Sequence, residues 1–209
     1  MKKNLLTPEA IVEQFKTALG DGLQASRVVE RAEGLKTMKS QEIWLTLDKD
    51  LLHDALEELA TLDYPHLAVI SGVDTGDAID LLYHFFIYYG NRGGEIKMTM
   101  TVALPKDDLT VDSISDIIPG AVFSEREKQE FLGIKVIGIP DDRRLFLPDH
   151  FPEGVYPWRK DETGIPRDHE LAKELWRVGR DAAEAKLAAR KPVETKTSEK
   201  GSENEKLQL

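Results

Sequence analysis

Cysteine is absent from the 209 residues. Within the chain that excludes disulfides and cysteine-held iron–sulfur clusters, and it fits a reducing compartment. No apolar run approaches the ~18–20 residues that a bilayer-spanning helix needs. The N-terminal run MKKNLLTPEAIVEQF lacks the apolar segment of a signal peptide. Basic residues are outnumbered, 28 Lys and Arg against 38 Asp and Glu, for a net charge of −10. That balance argues against a nucleic-acid surface, which requires clustered Lys and Arg. Neither GxGxxG after a strand nor GxxxxGK[ST] occurs, so both nucleotide motifs are missing. The histidines His53, His66, His84, His150 and His169 show no metal-ligand spacing.

What is present is a globular composition, 41% hydrophobic and 32% charged, long enough for one domain with appendages. Thr7-Pro8-Glu9 reads as an N-cap, a first-turn proline and a first-turn acid. Ile11, Val12, Phe15, Ala18 and Leu19 then form a helical stripe that Gly20 stops. Residues 25–31 are a candidate strand. Gln41–Leu47 alternates as a strand, and Asp48 or Asp50 is expected to cap a helix carrying Leu52, Leu56 and Leu59. Leu67–Val73 is a further strand. Leu81–Tyr89 is apolar on both faces, aromatic-rich, and read as a strand ending at the turn Gly90–Gly94. The cleanest period-2 pattern sets Ile96, Met98, Met100, Val102 and Leu104 against Lys97, Thr99, Thr101 and Ala103. This predicts a half-buried strand with a polar or second-layer face, antiparallel to Leu81–Tyr89. The expected fold is α+β: a mixed or antiparallel sheet with helices on one side, then an extended proline-rich arm and a C-terminal helix.

Four segments follow from this pattern. They are an N-terminal body (1–108), a short helix plus arm (109–166), a C-terminal helix (167–190) and a polar, disordered tail (191–209). Val111–Pro119 reads as a connector. Ser124-Glu125-Arg126-Glu127 reads as a capping box opening a helix that ends at Gly133. Beyond it, Pro140, Pro148, Pro152 and Pro157 fall too close together for a helix or a central strand. The same stretch carries Phe146, Phe151, Tyr156 and Trp158, with Leu145 and Leu147. An extended arm has little core of its own for such side chains, so it must lie on the rest of the chain or on a partner.

Several residues invite chemistry. Glu125, Glu127 and Glu130 share one helix and read either as an acid/base cluster or as a capping box and solvated face. The second reading is favoured, since no nucleophile or metal set accompanies them. His84 reads as a satisfied core or interface histidine before it reads as a ligand. Gly90–Gly94 is a turn before it is a phosphate cradle. Arg143-Arg144 fits an anion grip or pairing with Asp141 and Asp142, and spacing leaves both open.

The ordered motifs of the arm add more. Glu125-Arg126-Glu127, then Gly133-Ile134, then Gly138-Ile139-Pro140-Asp141-Asp142-Arg143-Arg144 and Leu147-Pro148-Asp149 form one series. It continues into Pro152-Glu153-Gly154-Val155-Tyr156-Pro157-Trp158-Arg159-Lys160-Asp161. The whole resembles the signature of the thirty-kilodalton-type (C-type) subunit of complex I, the NADH:ubiquinone oxidoreductase. Ile139 stands where the respiratory family usually has histidine. With the FPEGVYPWRKD ending, the chain looks more like the version in complex-I-related membrane-bound nickel–iron hydrogenases and their relatives.

The resemblance implies a non-catalytic peripheral-arm subunit on the cytoplasmic side of an ion-translocating oxidoreductase, with no nucleic-acid partner and no membrane span of its own. It implies docking on a large hydrogenase-like (D-type) subunit, next to a small iron–sulfur (B-type) subunit. Cofactors are expected only in those partners: iron–sulfur clusters and a nickel–iron site. The competing readings are a respiratory NADH:quinone subunit, a free-standing adaptor, and an independent enzyme using the Glu125–Glu130 carboxylates. The family pattern keeps the helix and arm motifs together. This further implies that Arg143 or Arg144 closes an ion pair onto Glu125 or Glu127 while the other reaches the large subunit.

Overall fold

Thr7 opens the first helix, α1 (Pro8–Leu19), by accepting the Ala10 N–H at 3.3 Å, and Gly20 closes it at φ +53°. Ile11, Val12, Phe15 and Leu19 are its buried stripe. Strands β1 (Leu23–Glu33) and β2 (Met38–Leu47) pair antiparallel. The computed structural model describes residues 5–33, 38–91, 94–149 and 151–165. The predicted C-terminal helix (167–190) and polar tail (191–209) lie outside the described residues.

Helix α2 (Leu52–Leu62) buries Leu52, Ala55, Leu56 and Leu59. Neither aspartate caps it. The chain enters through a 3₁₀ turn at Lys49–Leu51, the N-cap position falls on Leu51, and no side chain caps it. Asp48 instead accepts the side-chain amide of Gln24. The carboxylate is drawn to a donor on the neighbouring strand, a contact made in space that spacing along the chain does not encode.

Strands β3 (His66–Asp74), β4 (Ala78–Ile87) and β5 (Ile96–Pro105) complete a sheet of order β1-β2-β5-β4-β3. The sheet is mixed: β2 and β5 run parallel, and the other neighbours are antiparallel. The predicted fold class holds, including the β4–β5 antiparallel pair. β4 ends at Ile87 rather than Tyr89, because Tyr88 turns into positive φ (57°) and leaves the ladder. Alternation on β4 and β5 sends Ile79, Leu81, Tyr83, Phe85, Met98, Met100 and Val102 into the core. The opposite face carries Trp44, Thr99, Leu82, His84 and Phe86. There His84 joins neighbouring strands, its ring nitrogens 3.1 Å from the hydroxyls of Ser71 and Thr99. Burial holds its pKa below the ordinary histidine value.

Beyond β5 the expected connector contains structure of its own. β6 (Thr110–Asp112) pairs in parallel with β7 (Lys135–Ile137), bracketing helix α3 (Ala121–Leu132). The arm is therefore regular for three residues after Gly133 and irregular only from Gly138 among the described residues. Ser124 does not open α3. The helix starts at Ala121 with Gly120 as N-cap and no side-chain cap. Burying Ile118 and Ala121 pulls the start upstream and leaves Ser124 within the first turn. Gly133 does end the helix, in the left-handed region at φ +66°.

Helix α3 sits over the β3 edge of the sheet on the core face. A Cβ built on Gly72 comes within 2.3 Å of Leu132 Cδ1. Gly72→Ala should therefore overpack the contact and cost about 1–3 kcal/mol. Leu132→Ala, at a fully buried position, should cost about 2–5 kcal/mol. The double variant should cost clearly less than the sum, because removing Leu132 makes room for the new methyl. Urea unfolding of the four proteins checks this, and strict additivity contradicts the docking.

Candidate partner-binding arm

An irregular segment must find partners for its backbone polar groups outside itself. The arm finds several of them on α3. Four helix positions, paired at i and i+4 spacing, face the loops that flank the helix: Glu125 with Gln129, and Arg126 with Glu130.

Glu125 is 3% exposed. It accepts the Ser113 hydroxyl at 2.7 Å and the Ile114 N–H at 2.8 Å, fixing the segment that leads into the helix. Burial pushes its pKa up, against those two donors. Gln129 accepts the Val136 N–H at 3.0 Å and so positions β7. Glu130 accepts the N–H groups of Phe146 and Leu147, both at 2.9 Å. These two carboxylates, Glu125 and Glu130, are thus neither a capping box nor a solvated face. They are buried acceptors for backbone, which a helix-surface reading of charge cannot foresee. Glu127 stays at the rim, paired with Lys128.

The arginines reverse the expected direction of contact. Arg143 and Arg144 do not reach Glu125 or Glu127. Arg143 is 81% exposed at its side chain and forks onto Asp141, with both contacts at 2.8 Å. Arg144 turns back onto the arm and donates to the carbonyls of Pro148 (2.9 Å) and Phe151 (3.1 Å). It is Arg126, from the helix, that reaches out. Its Nε donates to the Arg143 carbonyl at 2.7 Å and its Nη2 to the Arg144 carbonyl at 2.9 Å. Its Nη1 lies 3.1 Å from Asp141. The Arg143 guanidinium beside it and the Arg143 N–H hold the Asp141 carboxyl well below the usual range. A guanidinium supplies several donors in a fixed plane, so one Arg126 holds two carbonyls and a carboxylate together.

The end of the arm caps the end of the helix. The last turn of a helix leaves carbonyls without partners. Here the Trp158 N–H donates to the Phe131 carbonyl at 3.0 Å, and Arg159 Nε donates to the Leu132 carbonyl. Arg159 is 6% exposed at its side chain, so a cation sits at the negative helix terminus. Gly133 lies beneath the Tyr156 ring, which a Cβ would meet at 2.5 Å, so glycine is required for space as well as for φ.

Past Arg159 the chain closes a clasp onto the body. Buried Asp74, at the end of β3, accepts the Lys160 N–H at 2.8 Å and the Gly76 N–H at 2.9 Å. Lys106 stands between Asp74 and Asp161 and pairs with both. Burial alone raises the Asp74 pKa, but the Lys160 and Gly76 N–H groups and Lys106 outweigh it and hold it low. Lys106 and the Thr163 hydroxyl hold Asp161 well below the carboxylate range. Asp161, with Asp74, holds Lys106 above its ordinary value.

Of the other signature residues, Pro140 and Glu153 are exposed in the irregular arm, and Gly154 takes positive φ (74°). Tyr156 and Pro157 are half-buried. Among the described residues no group of His, Cys, Asp or Glu side chains is arranged to hold a metal, and no helix is long and apolar enough to cross a membrane.

Two outcomes follow from this geometry. Arg126→Ala removes charge-assisted hydrogen bonds of the kind that contribute ~1.5–3 kcal/mol each. It should lower the melting midpoint and speed proteolytic cutting within residues 141–149, whereas Arg143→Ala should leave both close to wild type. For the clasp, the two carboxylates are depressed, so their stabilisation is present above the unfolded value of ~3.9 and is lost as pH falls through the lower folded values. Lys106 is raised, so its share is present below ~10.4 and is lost as pH rises through the higher folded value. The amide signal of Lys160 in an NMR titration should hold its position from about pH 5 to 10 and move at both ends. Lys106→Met should abolish the shift on the alkaline side.

The sequence and the fold have counterparts. The family model described as respiratory-chain NADH dehydrogenase, 30 Kd subunit, matches residues 45–167, which contain α2, β3 to β7, α3 and the arm. The beta chain of the membrane-bound hydrogenase of Pyrococcus furiosus is 35% identical over 129 residues, covering 61% of this chain and 74% of that protein. The C-type subunit of the F(420)H(2) dehydrogenase of Methanosarcina mazei is 32% identical over 123 residues, covering 57% and 75%. A chain of the solved membrane-bound sulfane sulfur reductase, an archaeal respiratory membrane complex, shares the fold. It aligns with a TM-score of 0.57 at 18% identity over 82% of this chain and 90% of that one. Because the family model spans more than half of the sequence, the chain belongs to the 30 kDa subunit family of the respiratory-chain NADH dehydrogenase, whose members also include subunits of hydrogenase-type complexes.

Proposed function

We propose that this chain is a non-catalytic subunit that docks on and braces the large catalytic subunit of a membrane-bound, complex-I-like oxidoreductase. The observation that carries the proposal is the state of the arm's aromatic residues. The backbone of the arm is held largely by α3, yet two of its rings, Phe146 and Trp158, are left exposed by the fold. Phe131 stacks on Trp158 with centroids 4.5 Å apart and meets Phe146 at 5.9 Å. Even so, Phe146 remains 60% exposed and Trp158 42% exposed, and Phe123 on the same helix is 60% exposed. Lys128 stands 4.9 Å over the Trp158 ring. Exposed aromatics on a rigid backbone bind with little further ordering cost, as protein–protein anchors do.

In this reading the redox centres, iron–sulfur clusters and a nickel–iron site, belong to the large (D-type) and small iron–sulfur (B-type) partners. The chain then lies at the cytoplasmic face of the membrane as part of that complex. A hydrogenase-type or ferredoxin-linked complex is preferred to a respiratory NADH:quinone enzyme, because Ile139 replaces the usual histidine. Ile139 packs against the core of this chain, so the position here serves packing rather than proton or quinone chemistry.

The test is affinity isolation of the tagged full chain from its own cell membranes without detergent exchange. The expected partners are a large hydrogenase-like subunit and a small iron–sulfur subunit, and the separated chain should carry no visible absorbance. Phe146→Ala should leave the melting of the separated chain unchanged, because Glu130 holds the backbone and not the ring of Phe146. It should nevertheless lower the yield of the co-isolated large partner. Recovery of the chain alone, or a flavin or iron–sulfur spectrum on the chain itself, overturns the proposal.

A further inference from the structure

Between α3 and the arm lies a cleft of about 270 Å³. Glu130 lies in its wall. The residue is 9% exposed. One carboxylate oxygen, Oε2, is spent on the Phe146 and Leu147 amides. The other, Oε1, is buried and has no hydrogen-bond partner among the described residues. A buried carboxylate oxygen without a donor is expensive, and folded chains leave few of them. In the same cleft stand Asp142 and Glu153, both exposed, with Arg144 as the one cation among its described lining residues. Nη1 of Arg144 is already committed to the Pro148 and Phe151 carbonyls. Leu147, Pro152 and Val155 supply apolar wall.

We infer that this cleft is the receptor for an arginine side chain of a partner polypeptide, with the Glu130 carboxylate in its wall as the buried counter-charge. The inference rests on the docking role proposed above and gives it a specific contact. Carboxylate oxygens only accept, so the occupant must donate, and three carboxylates against one guanidinium favour a cation. The apolar wall suits an aliphatic stem that carries its charge at the tip. Arginine fits better than lysine for two reasons. Its guanidinium is the more weakly hydrated cation, so less is lost on burial, and its planar fork serves Glu130 and a rim carboxylate at once. The cleft is smaller than the usual range of a small-molecule site, ~300–1,000 Å³. Because Asp142, Arg144, Leu147 and residues 152–156 of the arm form most of the rest of its wall, filling it also ties the arm between two proteins.

The test uses the complex isolated with the tagged full chain, in wild-type and Glu130→Gln forms. Glutamine keeps an oxygen for the Phe146 and Leu147 amides while removing the charge, and melting of the separated chain reports whether the fold survives. Arginines of both complexes are then labelled with phenylglyoxal and mapped by peptide mass spectrometry. One partner arginine should be shielded in the wild-type complex and react several-fold faster in the variant. The variant chain should also leave the complex roughly tenfold faster, the scale set by one charge-assisted hydrogen bond. Should Glu130→Gln not fold, Asp142→Asn with Glu153→Gln, both at the exposed rim, takes its place and should deprotect the same arginine to a smaller extent. Identical labelling of every partner arginine in wild type and in the folded variant overturns the cleft inference while leaving the docking role intact. A wild-type chain that brings no partner overturns both.

Discussion

Among the described residues the arm has no regular structure beyond a three-residue strand, so much of its backbone is satisfied by side chains, and one helix supplies many of them. Glu125, Arg126, Gln129 and Glu130 take the amides and carbonyls of the segments on either side of α3. The free carbonyls at the end of the helix take Trp158 and Arg159 in return. This exchange is mutual. The helix end lacks donors and the arm lacks a ladder, and each is the other's partner. Buried charge is costly to leave unpaired, so the arrangement tolerates little slippage.

That constraint explains why so polar a helix can lie against the sheet. Its buried side includes glutamate, arginine and lysine as well as Ala121 and Leu132. These charges are accepted because each meets backbone or an opposite charge, the exception being one oxygen of Glu130. Gly72 lets Leu132 close onto β3, and Gly133 lets Tyr156 close onto the helix end. The Asp74–Lys106–Asp161 group then closes the far end of the arm onto the body.

Function follows from what this internal bracing leaves outside. With its backbone fixed, the arm presents rings and a partly acidic cleft rather than a flexible strand. In the proposed docking role, a pre-ordered arm loses less entropy on association than a flexible strand would. Membership of the 30 kDa subunit family sets the chain beside relatives named as a subunit of a membrane-bound hydrogenase and a subunit of an F420H2 dehydrogenase.

Local physics was enough to make much of this legible in the sequence. The period-2 alternation from Ile96 to Leu104, the Thr7-Pro8 start and the Gly20 and Gly133 stops are set by residues within one turn or one strand of each other, so they survive without tertiary context. The ordered motifs from Glu125 to Asp161 likewise identified the family. What tertiary structure decided is everything that depends on a distant partner. The parallel pairing of β2 with β5 joins strands separated by α2, β3 and β4. The start of α3 at Ala121 follows from burial of Ile118 and Ala121, which overrode an acceptable cap at Ser124. The roles of Glu125, Arg126 and Glu130 depend on backbone donors and acceptors brought from 11 to 18 residues away. A charged side chain on a helix reads as solvated until the fold places an unpaired amide or carbonyl beside it. That placement is a property of the packed chain and not of its local spacing.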